Sequence, residues 1–308
     1  MILGGDLGGT KTLLALADLV DGRPKVVRQQ RYDSAAYAAL DDMLADFLAD
    51  SPAITSAAFG VAGPVDGQRA KLTYLPWQLD AEALARRFAL GRVALLNDFE
   101  AAAHGLSQLQ PADLLTLHRG QPVIDAPRAI VGPGTGLGVA GLLPTPGGWQ
   151  VVPGEGGHAG FAPQTAEQGE LWKYLLDQNG RVTAEDVLSG PGISRIFAFF
   201  SGRPSEPAAI ADAALLRQDP HAIATLRLWQ ECLGAFAGDL ALQWLARGGV
   251  HLGGGVAAKL LPRLDTAPLV AAFLAKREHQ SLVAAMPLQV VLAEDLGLRG
   301  ALARASLS

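Results

Sequence analysis

The sequence has little cysteine, little charge and no long apolar run. Cys232 is the only cysteine, which excludes an internal disulfide and argues against a structural zinc site. No apolar stretch approaches the ~18–20 residues that a membrane-spanning helix needs, and residues 1–4 show none of the blocks of a secretory signal. The net charge of −5 argues against general attraction to nucleic-acid phosphates. We therefore expect a soluble, cytoplasmic protein with no membrane or nucleic-acid partner.

What the sequence does contain is enough apolar material for two buried cores. Of its 308 residues 49 % are apolar and 18 % charged, and the length corresponds to about two domains at ~100–200 residues each. Residues 108–128 have few periodic features and several prolines, so we expect the chain to cross between domains there. We place a small α/β domain at 1–108, joined by a C-terminal helix at 296–308, and a large α/β domain at 109–295.

The 36 glycines gather in five clusters, at residues 4–9, 132–141, 154–160, 190–192 and 253–255. Such clusters mark sharp turns or a close approach of the backbone to a ligand. Tight loops alone would explain any single cluster. Five of them, several containing Thr, Asp or Glu, favour a ligand site.

Both halves of the chain follow the same local pattern. A short strand leads into a glycine-rich loop at residues 4–9 and again after 129–131, and an apolar strand follows each loop, at 12–17 and 137–143. Asp21-Gly22 indicates a hairpin to a strand at 25–32, and Ser34 is predicted to cap a helix through Leu48. Cys232 is expected to be a core residue. The remaining predictions are strands at 55–61, 92–96, 250–252 and 289–292, and helices at 80–88, 220–246, 256–264 and 297–305.

Two glycine motifs resemble nucleotide loops but fail on context. Residues 4–12 nearly spell a Walker A loop, but Thr10 intervenes between Gly9 and Lys11, and a strand rather than a helix follows. Residues 136–141 match the dinucleotide fingerprint, but again a strand follows, and no acidic residue lies about twenty positions on. We reject both interpretations.

Another kind of phosphate-binding loop remains possible. A glycine-rich turn between two antiparallel strands can point backbone N–H groups at a triphosphate without a helix. The carboxylate of Asp6 could hold Mg²⁺, directly or through its water shell, and Thr10 and Thr135 offer further donors. Two such turns, one in each half, are predicted to clamp a nucleotide.

The combination of motifs is specific and extends over nearly the whole chain. Residues 5–10, Asn97-Asp98, residues 134–138 and residues 253–255 resemble the phosphate, catalytic and adenosine segments of the actin-like sugar-kinase superfamily. Residues 152–163, with Glu185 and residues 188–192, resemble the bacterial glucokinase family. The repressor-and-kinase branch of sugar kinases fits poorly, since its cysteine-rich zinc motif is absent, although Lys11 is a feature it often shows.

The resemblance implies a two-domain α/β, actin-like (ribonuclease H-like) fold with an interdomain active-site cleft. It implies ATP-dependent phosphorylation of D-glucose at the 6-hydroxyl, with Mg²⁺, in a homodimer. The sugar contacts that it implies are Asn97, Asp98, Glu155, His158 and Glu185. The nucleotide contacts are expected at Gly5, Asp6, Gly8, Gly9, Thr10, Gly134, Thr135, Gly136, Gly253, Gly254 and Gly255, with Asp6 also at the magnesium.

Asp98 is the candidate general base, because phosphoryl transfer to a sugar needs an acceptor for the hydroxyl proton. It follows an apolar strand, at the carboxyl end where α/β sites usually lie. The alternative is that Asp98 only caps the helix that follows. For Glu155 and His158 the alternative is a polar, solvated loop. Glu185 has an alternative too, because residues 183–186 resemble a capping box with Asp in place of Glu.

Three other functions compete with a glucose kinase. One is a kinase for mannose, fructose or an N-acetylated hexose. Another is a sugar-sensing regulator without catalysis, which would normally carry a DNA-reading helix pair, whereas this chain begins directly at the phosphate strand. The last is an actin-like ATPase that serves in assembly, against which the polar pair Glu155 and His158 argues.

Overall fold

A computed structural model describes residues 1–307 of the chain. These divide into two compact units, one made of Met1–Gln110 with residues 293–307 and the other of Pro111–Leu292. Within residues 1–307 every helix is too short or too polar to cross a membrane. Each unit is built on its own sheet, with helices packed against it.

The sheet of the first unit has five strands in the order β3-β2-β1-β4-β8. Strands β1, β4 and β8 run parallel, and β2 and β3 continue from β1 as antiparallel hairpins. A second, three-stranded antiparallel sheet is formed by β5, β6 and β7. The strands are β1 (Ile2–Leu7), β2 (Lys11–Val20), β3 (Arg23–Asp33), β4 (Ser56–Val61), β5 (Val65–Asp66), β6 (Arg69–Lys71), β7 (Gln78–Asp80) and β8 (Arg92–Asn97).

Four helices complete the first unit: α1 (Leu40–Leu48), α2 (Ala81–Arg87), α3 (Asp98–Gly105) and α12 (Leu296–Ser306). The alternation of side chains along β1 divides its residues between two cores. Leu3 and Leu7 pack into one core, whereas Ile2 packs into a smaller one with Leu298 and Leu302 of α12. Asp6 lies two and four residues from Gly4 and Ile2, and therefore on the face of β1 that α12 covers.

Two local predictions in this unit are wrong. The first strand does not end before the glycines but runs through to Leu7, because Gly4 and Gly5 pair with both neighbouring strands. The missing side chain at Gly5 also leaves room for Phe59 to pack closely against it. Ser34 does not cap α1, which begins only at Leu40. It starts a short 3-10 turn, Ser34–Ala36, that Asp33 caps. The predicted helix at 80–88 is confirmed as α2, and Asp80 is its N-cap residue.

The second unit has a six-stranded sheet in the order β12-β11-β10-β13-β14-β9. Its strands are β9 (Leu114–His118), β10 (Arg128–Pro133), β11 (Leu137–Thr145), β12 (Gly148–Gly154), β13 (Gly249–Leu252) and β14 (Leu288–Val291). Strands β10, β13 and β14 are parallel, and β10 returns through β11 as a hairpin. Strand β9 falls within the stretch that we predicted to be irregular. It pairs antiparallel with β14.

Eight α-helices pack around this sheet. They are α4 (Ala166–Asn179), α5 (Ala184–Leu188), α6 (Gly190–Ser201), α7 (Pro207–Arg217), α8 (Pro220–Trp244), α9 (Gly254–Leu260), α10 (Ala267–Leu274) and α11 (Gln280–Ala284). The long helix α8 is confirmed, and Cys232 lies fully buried in it, where burial raises the pKa of the thiol. The helix after β13 begins at Gly254, inside the predicted glycine turn, and ends earlier than expected.

Candidate active site

The polar residues of the first unit meet at the carboxyl ends of its parallel strands. Leu7 at the end of β1 pairs with Val61 of β4, and Val61 pairs with Asn97 at the end of β8. The loop after β1 and the start of α3 therefore leave the sheet at the same edge. This is the edge at which α/β proteins usually bind ligands.

The first glycine-rich loop, residues 8–10, is a tight turn that is held by hydrogen bonds from Ser34, outside the loop. Gly8 donates its N–H to the carbonyl of Lys11 at 3.0 Å, across the turn. The N–H of Ser34 donates to Thr10 O at 3.0 Å, and the Ser34 hydroxyl donates to Gly8 O at 2.8 Å. The hydroxyls of Ser34 and Thr12 also lie 3.0 Å apart. Sequence reasoning missed these two buried residues as parts of the site.

Asp6 carries a strongly perturbed carboxyl group. Burial, followed by the charge of Asp98, raises its pKa to about 6, against a smaller lowering by Lys11. Helix α12 closes over it, since a Cβ built on Gly297 would lie 2.9 Å from Asp6 Cγ. A cation beside these carboxylates would offset their repulsion, and carboxylate oxygens are the ligands that Mg²⁺ takes. A magnesium role for Asp6 stays a prediction, since the residues that the structure describes form no group of three or more His, Cys, Asp or Glu side chains around a metal position.

Asn97 and Asp98 stand at the junction of β8 and α3. Asn97 is the N-cap: its Oδ1 accepts from Phe99 N–H at 2.9 Å, and its Nδ2 donates to Gly63 O at 3.3 Å. Asp98 is the first residue of α3 and is exposed, with Oδ1 accepting from the same Phe99 N–H at 2.8 Å. Asp98 is thus not the N-cap residue of this helix. Its carboxylate is presented to solvent at the edge of the sheet.

The predicted residues of the second unit gather at the carboxyl ends of β10 and β13. The second glycine-rich loop, residues 134–136, is closed by a bond from Gly134 N to Gly136 O at 2.9 Å. Gly190, the first residue of α6, donates to Gly134 O at 2.8 Å, and Gly253 donates to Val131 O at 2.8 Å. The loop after β13 is thereby fastened to the strand that leads into the second loop.

A cavity of about 700 Å³ opens beside this loop. Three of the predicted nucleotide residues line it: Gly134, Thr135 and Gly255. Its other walls are largely apolar but carry a few charged side chains, which no sequence motif identified. These walls include Pro191, Pro207, Ala211, Asp212, Val256, Lys259 and Arg263. The size and lining suit a nucleoside-sized ligand.

Glu155 immediately precedes a short 3-10 turn, Gly156–His158, and His158 is the last residue of that turn. Their side chains are exposed, with Glu155 Oε2 3.9 Å from His158 Nε2. The turn is tied to α5, because Ala184 N–H donates to Ala159 O at 2.9 Å. Exposed carboxylate and imidazole groups can donate to and accept from sugar hydroxyls.

Glu185 lies in the first turn of α5, where the predicted capping box between Thr183 and Asp186 is confirmed. Its side chain does not point only to solvent. Its Oε2 accepts from Leu137 N–H, at the end of the second loop, at 2.8 Å. The structure therefore brings the predicted residues together as two clusters, one in each unit: residues 5–10 with Asn97 and Asp98, and residues 134–136, 155, 158, 185 and 253–255.

Comparisons with known proteins agree with one another. A family model described as Glucokinase matches residues 3–307. A glucokinase from Nostoc punctiforme is 36 % identical over 98 % of this chain and 97 % of its own length. Among solved structures, a glucokinase from an Antarctic psychrotroph has a TM-score of 0.92 at 29 % identity, covering 100 % of this chain and 99 % of that one.

A more distant neighbour shares the fold alone. It is a ROK-family glucokinase from Streptomyces griseus, solved in complex with glucose and AMPPNP, with a TM-score of 0.63 at 21 % identity over 100 % of this chain and 99 % of that one. The predicted actin-like sugar-kinase fold is thereby confirmed. With a family model and a relative that both span almost the whole sequence, the chain belongs to the glucokinase family.

Proposed function

We propose that this protein transfers the γ-phosphoryl group of ATP to the 6-hydroxyl of D-glucose. Membership of the glucokinase family supports the reaction, and the complex of the Streptomyces griseus neighbour with glucose and AMPPNP supports the substrate pair. The observation that carries the proposal is the exposed carboxylate of Asp98, directly after β8, whose charge acts on the half-buried carboxyl group of Asp6.

In the proposed reaction, Asp98 accepts the proton of the 6-hydroxyl as the hydroxyl oxygen attacks the γ-phosphorus. The bond from that phosphorus to the bridging oxygen breaks, and ADP leaves. Asn97, Glu155, His158 and Glu185 hold the remaining sugar hydroxyls. A positioned carboxylate base of this kind contributes typically ~10²–10⁴-fold to the rate.

The two glycine-rich loops would hold the triphosphate through backbone N–H groups. The adenosine would occupy the cavity beside Thr135 and Gly255, with Gly253 and Gly254 at the junction of β13 and α9. Asp6 would hold Mg²⁺ together with phosphate oxygens and water. When bound, the ion neutralises the charge on the phosphate oxygens during transfer.

The proposal also covers the two domains, the site residues that each supplies, and the oligomeric state. Residues 1–108 with 296–308 would form the small domain, which supplies Asp6 and Asp98. Residues 109–295 would form the large domain, which supplies Glu155, His158 and Glu185. We propose that the enzyme works as a cytoplasmic homodimer, which light scattering of the purified protein would test.

A coupled assay of the purified protein with MgATP and a panel of hexoses tests the proposal. Glucose should give the highest kcat/KM, with glucose 6-phosphate as product, and ATP hydrolysis without sugar should be about 1 % or less of turnover, because the site excludes water as acceptor. A preference for mannose, fructose or an N-acetylhexosamine would replace glucose as the substrate. A high sugar-independent ATPase rate would favour the assembly ATPase instead.

A further inference from the structure

The carboxylate of Glu185 rests directly on the backbone of the second glycine-rich loop. Its Oε2 accepts from Leu137 N–H at 2.8 Å, and a Cβ built on Gly136 would lie only 2.7 Å from the same oxygen. Any side chain at position 136 would therefore displace the carboxylate. The loop and Glu185 are therefore in close contact, although Leu137 and Glu185 lie 48 residues apart in the sequence.

Glu185 is itself held on a rigid support. The capping box fixes the first turn of α5, with Thr183 Oγ1 donating to Asp186 Oδ2 at 2.8 Å. The Ser189 hydroxyl donates to Glu185 O at 2.7 Å. At the end of the same helix, the indole N–H of buried Trp229 donates to Leu188 O at 2.9 Å. The backbone that carries Glu185 is thus fixed by its own caps and by the core of the unit.

The opposite end of the loop is attached to the same segment. Gly190 N–H, one residue after the Ser189 cap, donates to Gly134 O at 2.8 Å. Residues 185–190 therefore hold the loop at both ends, through a side chain at Leu137 and through a backbone group at Gly134. Of these two attachments, only the one through Glu185 can be removed by a side-chain substitution.

We propose that Glu185 is a positioning residue for the nucleotide loop, in addition to its proposed contact with the sugar. This inference rests on the proposed function, because it assumes that residues 134–136 bind the ATP phosphates. One carboxylate oxygen fixes the loop, while Oε1 is not engaged by Leu137. A sugar that contacts Glu185 is thereby coupled to the nucleotide site, and linkage requires this coupling to be equal in both directions.

The test measures binding of Mg-AMPPNP by calorimetry in the absence of sugar. Glu185→Ala removes the acceptor for Leu137 N–H and should weaken AMPPNP binding about fivefold to tenfold, the equivalent of one hydrogen bond. Glu185→Gln retains an acceptor oxygen and should bind AMPPNP within about twofold of wild type. Both variants should bind glucose more weakly than wild type.

The matched control is Glu155→Ala, which removes a proposed sugar contact that has no bond to the loop. It should weaken glucose binding and leave AMPPNP binding unchanged. Hydrogen exchange of the Leu137 amide gives a readout that does not depend on activity: the amide should lose protection in Glu185→Ala and keep it in Glu185→Gln.

Two results for the Glu185 variants would overturn the inference. Unchanged AMPPNP binding by Glu185→Ala would show that the loop does not need the hydrogen bond to Glu185. Tighter AMPPNP binding by both Glu185 variants would show that the carboxylate acts only by repelling phosphate. Wild-type protein that binds AMPPNP but phosphorylates no sugar would refute the proposed function but not the positioning role of Glu185. Wild-type protein that fails to bind AMPPNP would refute both.

Discussion

The hydroxyl of Ser34 donates a hydrogen bond to the carbonyl oxygen of Gly8 at 2.8 Å. Because a hydroxyl has one hydrogen to donate, Thr12 must be the donor in the 3.0 Å contact between its hydroxyl and that of Ser34. A chain of two buried hydroxyls thus ends on the first glycine-rich loop. The loop of each unit is held by a side chain from another part of the sequence, Ser34 in the first and Glu185 in the second.

Replacing Ser34 with Ala should affect both stability and nucleotide affinity. The change leaves the Thr12 hydroxyl and the Gly8 carbonyl without this partner, so the free energy of unfolding should fall by about 1–2 kcal/mol. The loop loses a fixed point, and KM for ATP should rise about threefold to tenfold, with a smaller change in KM for glucose. Urea denaturation and steady-state kinetics measure the two effects.

The matched control for this prediction is Ser107→Ala. Ser107 also donates one side-chain bond to a backbone carbonyl, that of His104, but at an exposed position away from the loop. It should leave KM for ATP at the wild-type value. An equal rise in KM for ATP in both variants would mean that the Ser34 effect is not specific to the loop.

Asp98→Asn should separate catalysis from folding. The amide oxygen of Asn can still accept from Phe99 N–H as Asp98 Oδ1 does, so the thermal unfolding midpoint should stay within about 2 °C of wild type. The variant has no base for the hydroxyl proton, and kcat should fall by about 10²–10⁴-fold. Near-normal turnover by the folded variant would remove Asp98 from the role of general base.

Several of the elements that sequence reasoning predicted correctly are fixed by neighbours along the chain. The hairpins β1–β2 and β10–β11 follow from apolar strands separated by a short glycine-rich turn, and the caps of α2 and α5 follow from Asp80 and Thr183 within their own first turns. Strand β9 was missed because its stability comes from pairing with β14, about 170 residues away, which no local pattern reveals.

The same distinction applies within the site. A capping box around Glu185 could be predicted from four consecutive residues, whereas its bond to Leu137 could not, because it depends on how α5 packs against β11. Ser34 was misassigned for a related reason. Its residue type and the apolar spacing after it fit a helix cap, but its hydroxyl is used by the loop at Gly8.

Asp6→Asn should stabilise the fold while abolishing activity. Asp6 is held near Asp98 and Asp295 under α12, and burial and these charges disfavour its ionised form. A neutral amide of the same shape removes that cost, so the free energy of unfolding at pH 7.5 should rise by about 1 kcal/mol or more. Denaturation at pH 7.5 without nucleotide measures the gain. Lower stability than wild type would show that the Asp6 charge is favourable in the fold.

Gly297→Ala should disturb the carboxylate of Asp6 through steric contact. The added Cβ would lie 2.9 Å from Asp6 Cγ, so either Asp6 or the start of α12 must move. We expect kcat/KM to fall at least about tenfold. Gly169→Ala is the control, because its Cβ, in helix α4, would have no atom of residues 1–307 within 4 Å. That variant should keep full activity and should be slightly more stable.

The buried His251 should make the second unit sensitive to acid. His251 lies on β13 and is 5 % exposed, and its Nδ1 is a buried atom without a hydrogen-bond partner within the described residues. Burial, followed by the positive charge of Arg128, lowers its pKa to about 4. Between pH 6.5 and pH 4 the unfolded chain therefore takes up a proton that the folded unit does not. The free energy of unfolding should fall by about 2 kcal/mol from pH 8 to pH 5 through this group alone.

His251→Gln removes the titration and should reduce the pH dependence by that amount. Urea denaturation at pH 5, 6, 7 and 8 measures it, with tryptophan fluorescence as the probe, because four of the five tryptophans, including the buried Trp229, lie in the same unit. The pH 8 values serve as the internal control, because His251 is neutral in both states there, and any difference between the proteins at pH 8 reflects packing and hydrogen bonding rather than titration. Parallel curves for wild type and variant from pH 8 to pH 5 would contradict the prediction, since they would require His251 to bind its proton equally in the folded and unfolded states.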